Sequence, residues 1–326
     1  MDNALLSRRV GPAVALLGGV MGLWHVVTPH YDAAALADAE AALLHDTHPR
    51  PTHRFVQAGW HPLHTLIVGD GPPLVMLHGH GGGVGVWHRN LSELSNYFRL
   101  YAIDWLGWGR SARPPFHGDA ASARRWWVDS LEAWRQAIGL ERFVLLGHSL
   151  GGWLAAEYAL AHPHRVDHLV LMNTAGLVGE VDRRKSLLYV ISPQRIVRAA
   201  GPLGPHLVTS NRALELQQNE AVQEALTAYY YHLSMAPLSG QSAFQAILSP
   251  TEWQLPIVPR ADGLSMPLTI FWGMEDRLLS ILQAHYLELR VPHAKLVLFP
   301  HAAHSPHAED VTQFHDAMRA IRFSDA

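Results

Sequence analysis

The sequence contains no cysteine. Disulfides, thiolate nucleophiles and cysteine-zinc centres are therefore excluded, and cysteine usage says nothing about the redox compartment. Charge is scarce too: Asp, Glu, Lys and Arg make up 16% of the 326 residues, and the formal net charge is −3. No basic face is implied, so nucleic acid is not an expected partner. Internal repeats and low-complexity tracts are missing as well. What is abundant is apolar surface, at 48% hydrophobic residues, enough for a large core in one α/β domain with an insertion. Histidine is frequent, with 23 copies, but the copies are scattered and their number alone argues for no metal.

The N-terminus needs separate treatment. Arg8 and Arg9 precede an uncharged stretch from Val10 to Tyr31, about as long as a bilayer-spanning helix. Its glycines, Pro12, His25 and His30 weaken it as a span. A basic start and apolar middle also suit a signal peptide, although no well-placed small-residue cleavage site follows closely. The third reading is an apolar helix packed on the domain. The expectations are therefore a membrane-associated protein, or a cytoplasmic one if this segment packs on the core.

Continuous apolar runs recur along the rest of the chain. They are PPLVMLHG to Gly79, LYAIDW to Trp105, RFVLLGHS to Ser149, HLVLMNT to Thr174, PLTIFWG to Gly273 and KLVLF to Phe299. Strands that are apolar on both faces belong in a buried, mostly parallel sheet. Amphipathic segments alternate with them, which is the pattern of a doubly wound α/β fold. Ahead of them, THRFVQAG and HPLHTLIVG read as an antiparallel hairpin at a sheet edge, and the Ala-rich stretch from Asp32 to Arg50 as a helix. From about Gly176 to Ser265 no convincing buried strand occurs, so this part reads as a helical cap inserted into the core. The expected organisation is an apolar N-terminal segment and helix over 1–50, a first core part over 51–175, the cap over 176–265 and a second core part over 266–326.

The sequence LLGHSLGGWLAAEY places Ser149 where a buried strand meets a helix. A sharp strand-to-helix turn crowds its corner residue, and Gly147 and Gly151 relieve that crowding; this is the physical content of Gly-x-Ser-x-Gly. A serine needs a base, an orienting acid and an oxyanion hole, and in such folds the chain order is Ser, acid, His. Asp276, in FWGMEDRLLS just past a strand end, is preferred over the longer Glu275. The loop LFPHAAHSPHAED offers His301, His304 and His307. His301 is nearest the strand and His307 starts a helix, whereas His304 lies mid-loop between the small residues Ala303 and Ser305 and is the expected base. The spacing of the three is not a regular zinc pattern. The backbone N–H groups of Leu150 and His80 are the expected oxyanion donors. Gly79, Gly81 and His148 are expected to line the substrate loop. The glycines of LHGHGGGVGVW would also suit a phosphate, but no Walker lysine and no dinucleotide fingerprint accompany them. No cofactor and no metal is expected.

Together these residues resemble the α/β-hydrolase superfamily. LHGHGGGVGVW, DWLGWGRSARPPF, GHSLGGWLAAEYAL and YYYHLSMAPLSGQSAF are similar to the group of α/β-hydrolase-domain-containing proteins 4 and 5, over roughly residues 20 to 322 and patchily in the cap. The resemblance implies a serine hydrolase acting on phospholipids or lysophospholipids, with a membrane or lipid-droplet surface as partner. The group also includes a lipase co-activator with Asn at the nucleophile position, whereas this chain keeps Ser149. The His-x4-Asp string that the group often carries at the catalytic histidine is His304 to Glu309 here, with Asp310 next, which weighs against lysophosphatidate acyl transfer. The literal string, His162 to Asp167, reads as structural. Rival expectations are such an acyltransferase, a small-ester or carbon–carbon-bond hydrolase, an iminopeptidase-like enzyme, and a non-catalytic regulator of a lipase. Epoxide and haloalkane hydrolases of this fold would use Asp in place of Ser149.

Overall fold

The computed structural model describes residues 31–180, 193–211, 219–249 and 252–321. The expectation of a membrane-associated segment over residues 10–31 falls outside them, save for Tyr31. Among the described residues no helix is long and apolar enough to cross a membrane.

Eight strands form one sheet in the order β1-β2-β4-β3-β5-β6-β7-β8. They are β1 (Thr52–Ala58), β2 (His61–Val68), β3 (Pro73–Leu77), β4 (Arg99–Ile103), β5 (Phe143–His148), β6 (Val166–Met172), β7 (Leu268–Gly273) and β8 (Lys295–Phe299). The β1–β2 hairpin is antiparallel and lies at one edge, and β2 runs antiparallel to β4. Every other pairing is parallel. The apolar runs are explained by two-sided burial. In β5, Phe143 and Leu145 enter one core cluster while Val144 and Leu146 enter the other, and all six residues are buried. The same alternation holds in β3, where Val75 and Leu77 face one side and Leu74 and Met76 the other. Side chains alternate across a strand, so a strand covered on both faces must be apolar at every position.

Helices cover both faces. Helix α2 (Ala120–Ile138) begins where the Asp119 carboxylate accepts the Ser122 N–H and ends at left-handed Gly139, a stop that suits a residue without a side chain. Helix α3 (Leu150–Ala161) is apolar almost all round and almost wholly buried. Helices α8 (Leu282–Arg290) and α9 (Val311–Arg319) flank the last strands.

Between β6 and β7 the described residues form α4 (Pro193–Ala199), α5 (Gly204–Asn211), α6 (Glu220–Met235) and α7 (Ser239–Ile247), with two isolated bridges and short turns. The N-terminal helix α1 (Ala33–Leu43), capped by the Asp32 carboxylate, packs against this segment. Leu36, Ala39 and Leu43 share one apolar cluster with Val197, Val208, Leu226, Tyr229 and Leu233.

Candidate active site

The turn from β5 into α3 holds Ser149 at φ 55°, ψ −118°, outside the regions that L-residues prefer. Backbone hydrogen bonds secure it: Ser149 N–H donates to the Met172 carbonyl at 2.9 Å, and the Ser149 carbonyl accepts from Ala175 at 3.1 Å. The flanking glycines are required by close approach. A Cβ on Gly147 would stand 2.3 Å from the Gly151 carbonyl oxygen, and one on Gly151 would stand 2.4 Å from that of His78. The Ser149 side chain makes no capping bond to α3, so its hydroxyl is available elsewhere.

It meets His304. The Ser149 Oγ–His304 Nε2 distance is 3.0 Å, and His304 Nδ1 lies 2.8 Å from Asp276 Oδ2. The three side chains come from the carboxyl ends of β5, β7 and β8, where this class of sheet presents its ligand crevice. The Asp276 side chain is almost wholly buried, and that of His304 is 24% exposed. Burial by itself would push the Asp276 carboxyl up. The hydrogen bond and electrostatic pull of the His304 ring, the Leu279 N–H and the Asn173 amide outweigh burial, and the net shift is downward. Asp276 is therefore ionised and suited to stabilise an imidazolium.

Several neighbours hold this arrangement, and of these Asn173 was not singled out in the sequence. Asn173, fully buried and at φ 41°, donates from Nδ2 to Asp276 Oδ2 at 2.7 Å and to the Ala303 carbonyl at 3.2 Å, and its Oδ1 accepts the Gly273 N–H at 3.1 Å. Glu309 accepts the N–H groups of Ala303 and Ser305, the residues on either side of His304. His148 was expected among the substrate-facing residues; its Nε2 lies 2.8 Å from the His304 carbonyl oxygen, and its ring packs on His304 and His307. His307 starts the short turn Pro306–Glu309, and His301 is exposed just after β8. His162 and Asp167 lie at the opposite, amino end of the sheet, where Asp167 pairs with Arg142.

Leu150 is the first residue of α3, so its N–H is one of the helix's orphan donors. Gly79 sits against the nucleophile: a Cβ there would lie 3.2 Å from Ser149 Cβ. His80 follows, its ring bonded to Gln241 and packed on Trp108 and Phe244. Gly81, at φ +68°, lies under the Gln194 side chain. The loop is anchored from below by Asp104, which begins the DWLGWGRS turn. Its Oδ1 accepts the Val84 N–H at 2.7 Å, and its Oδ2 accepts from Arg110 N and His64 Nδ1, both at 2.8 Å. The two glycine-rich motifs are thus parts of one structure. A buried Asp104 with several donors is held below the usual carboxylate range, although burial alone would raise it.

Among the described residues one side-chain group has metal-ligand geometry: Glu40, His53 and His64 offer atoms within 4.8 Å of one another. A cation is already there. Arg110 Nη1 lies 2.7 Å from Glu40 and 3.4 Å from His64 Nε2, so this group reads as an ion-pair network that ties α1 to the sheet.

The alpha/beta hydrolase fold family model matches residues 72–311, a span that carries Ser149, Asp276 and His304. The chain belongs to the α/β-hydrolase family. Within it, the chain is of the kind that includes ABHD5. It is 32% identical over 281 residues to the mouse 1-acylglycerol-3-phosphate O-acyltransferase ABHD5, covering 80% of each chain. It is 35% identical to a probable 1-acylglycerol-3-phosphate O-acyltransferase of rice, over 76% of this chain. The matched region is 66% of the rice protein, so the hydrolase chain spans slightly less than two thirds of that relative. A bovine (lyso)-N-acylphosphatidylethanolamine lipase is 36% identical over 63% of this chain and 65% of its own. Among solved structures, a bacterial membrane phospholipase A superposes with a TM-score of 0.71 at 22% identity, over 96% of this hydrolase and 97% of that chain.

Proposed function

We propose that this hydrolase cleaves acyl esters through an acyl-serine intermediate, with a phospholipid or lysophospholipid as substrate. The carrying observation is the unbroken hydrogen-bond chain from Ser149 Oγ through His304 to Asp276, at 3.0 and 2.8 Å. His304 Nε2 removes the hydroxyl proton as Ser149 Oγ attacks the ester carbonyl carbon. Asp276 holds Nδ1–H and stabilises the imidazolium. The N–H groups of Leu150 and His80 receive the oxyanion. His304 then gives the proton to the leaving alkoxide, and the acyl group remains on Ser149. Water, deprotonated by the same imidazole, releases the acid. The lipid assignment draws on relatives named as acting on acylglycerol phosphates and N-acylphosphatidylethanolamine, and a lipid–water surface is the corresponding partner.

The names of the plant and mammalian relatives favour a second reading, in which an acylglycerol-3-phosphate hydroxyl takes the place of water. Both readings share the acyl-serine. The test is acyl release from lysophospholipids, phospholipids, triacylglycerol and short p-nitrophenyl esters, with Ser149→Ala as control and 1-acylglycerol 3-phosphate as added acceptor. Long-chain release that disappears in Ser149→Ala is expected. Transfer to the acceptor in preference to water would favour the second reading. Release from short esters alone would remove the lipid assignment. A wild-type protein that neither releases acid nor reacts with a fluorophosphonate at Ser149 would overturn the proposal in favour of a non-catalytic regulator.

A further inference from the structure

Two buried carboxamides from the cap side stand over the loop that touches the nucleophile. Gln241, on α7, is 2% exposed, and Gln194, on α4, is 7% exposed. Gln241 Oε1 bonds the His80 ring through Nε2, while its own Nε2 is buried with no hydrogen-bond partner. Gln194 lies directly on Gly81, where a Cβ would collide with its amide, and its Oε1 is also buried without a partner. Buried polar groups are nearly always paired, by protein, water or ligand. Here two of them border His80 and Gly81, one and two residues past the glycine in contact with Ser149.

We propose that these carboxamides form a subsite for a free hydroxyl group on the substrate, adjacent to the ester being cleaved. This rests on the acyl-ester hydrolase reading and narrows its substrate. The unused groups are a donor on Gln241 and an acceptor on Gln194. A hydroxyl both accepts and donates, so its chemistry matches both unused groups. A phosphate or carboxylate oxygen only accepts, and would face the Gln194 carbonyl unfavourably. An apolar group would leave both buried carboxamides unpaired, at the cost of their desolvation. The geometry suits adjacent carbons: the chain turns back on itself between Gly79 and Gly82, whose N–H donates to the Gly79 carbonyl, so the carboxamides at His80 and Gly81 stand beside the glycine against Ser149, close enough for an ester carbonyl and a hydroxyl on the neighbouring glycerol carbon. The matching substrate class is a partially acylated glycerol, such as a lysophospholipid, and not its fully acylated counterpart.

The experiment compares kcat/KM for 1-acyl lysophosphatidylcholine with that for its 2-deoxy analogue of the same chain length. Wild type is expected to favour the hydroxyl substrate by about tenfold or more, because the analogue leaves buried partners unpaired. In Gln241→Leu and in Gln194→Leu that ratio is expected to fall towards one. The variants lie on separate helices, and the wild-type ratio needs neither of them to fold. Equal kcat/KM for the two substrates in wild type would overturn the subsite, and water would then be what fills it. A loss in both variants that lowers the two substrates in the same proportion would overturn it as well, leaving Gln241 as a support for His80. Failure of the wider reading has a different signature: no fluorophosphonate labelling of Ser149 and no turnover of a p-nitrophenyl ester, which carries no such hydroxyl.

Discussion

Replacing Asn173 by alanine removes three hydrogen bonds at once, to Asp276, the Ala303 carbonyl and the Gly273 N–H. The first is to a charged group and is worth about 2 kcal/mol, and the other two about 1 kcal/mol each. The residue is fully buried, so water does not replace them readily. The expected loss is about 4 kcal/mol of stability, or roughly 8 °C in Tm for a domain of this size. The chemistry responds in a second way. Asn173 is one of the groups that hold the Asp276 carboxyl below its ordinary value of 3.8 against the upward push of burial. Without that amide the carboxyl protonates at higher pH. The acid limb of fluorophosphonate labelling, which follows the Ser149–His304–Asp276 unit, therefore moves to higher pH in the variant. The sign for stability follows from the same shift. A depressed carboxyl contributes stability above its unfolded value and loses it as pH falls through the folded one. The Tm deficit should thus be greatest near neutrality and narrow below about pH 4. Asn173→Gly, which accepts a positive φ without strain, should show the same acid-limb shift and so separate the lost amide from the backbone. A variant within 2 °C of wild type, as roughly 1 kcal/mol would allow, with an unmoved acid limb, would refute the positioning role.

Two further outcomes are expected. Glu309→Gln keeps only one acceptor oxygen for the two N–H groups that flank His304, so the rate of Ser149 labelling should fall by about tenfold; an unchanged rate would show that the loop holds itself. Burial pushes the Glu40 carboxyl from 4.5 up to about 7, against the pull of His64 and Arg110. A carboxyl raised in the folded state contributes stability below its unfolded value and loses it as pH rises through the folded one. The buried histidines, held low by burial, contribute the opposite trend in both proteins, so the expected signature is the difference: in urea unfolding the stability of wild type relative to Glu40→Gln should fall by up to about 3 kcal/mol between pH 5 and pH 8, and a constant difference would refute it.

The parts of the fold that were legible in the sequence are those governed by local pattern. Two-sided burial wrote itself into the runs read to Gly79, Trp105, Ser149, Thr174, Gly273 and Phe299, of which the first four overrun their strands by one or two residues, and the alternating THRFVQAG and HPLHTLIVG segments marked the antiparallel edge. Ser149 was visible because its crowding demands glycines at fixed spacing, and His304 because small neighbours set it apart from His301 and His307. Asn173, Glu309, Gln194 and Gln241 carried no such mark. Asn173, Gln194 and Gln241 act through partners distant in the chain, more than 100 residues for Asn173 with Asp276 and 161 for Gln241 with His80; Glu309 acts on Ala303 and Ser305 close by, but only through the fold of their loop. Asp104 lies between these cases: its turn was recognisable, but its grip on Val84 was not, because β3 and β4 become neighbours only once the sheet forms.

The packing of α1 has a mechanical consequence. Its apolar side adheres to Val197, Val208, Leu226, Tyr229 and Leu233, and its Glu40 is fastened to Arg110 beneath the glycine-rich loop. A pull transmitted from the chain upstream of Asp32 is therefore delivered first to α6, and through Tyr229, which holds the Gly85 N–H at 3.0 Å, to the loop that carries His80. Helix α1 is thus a brace between the roof of the catalytic crevice and the sheet edge, to which Arg110 and His64 join its Glu40.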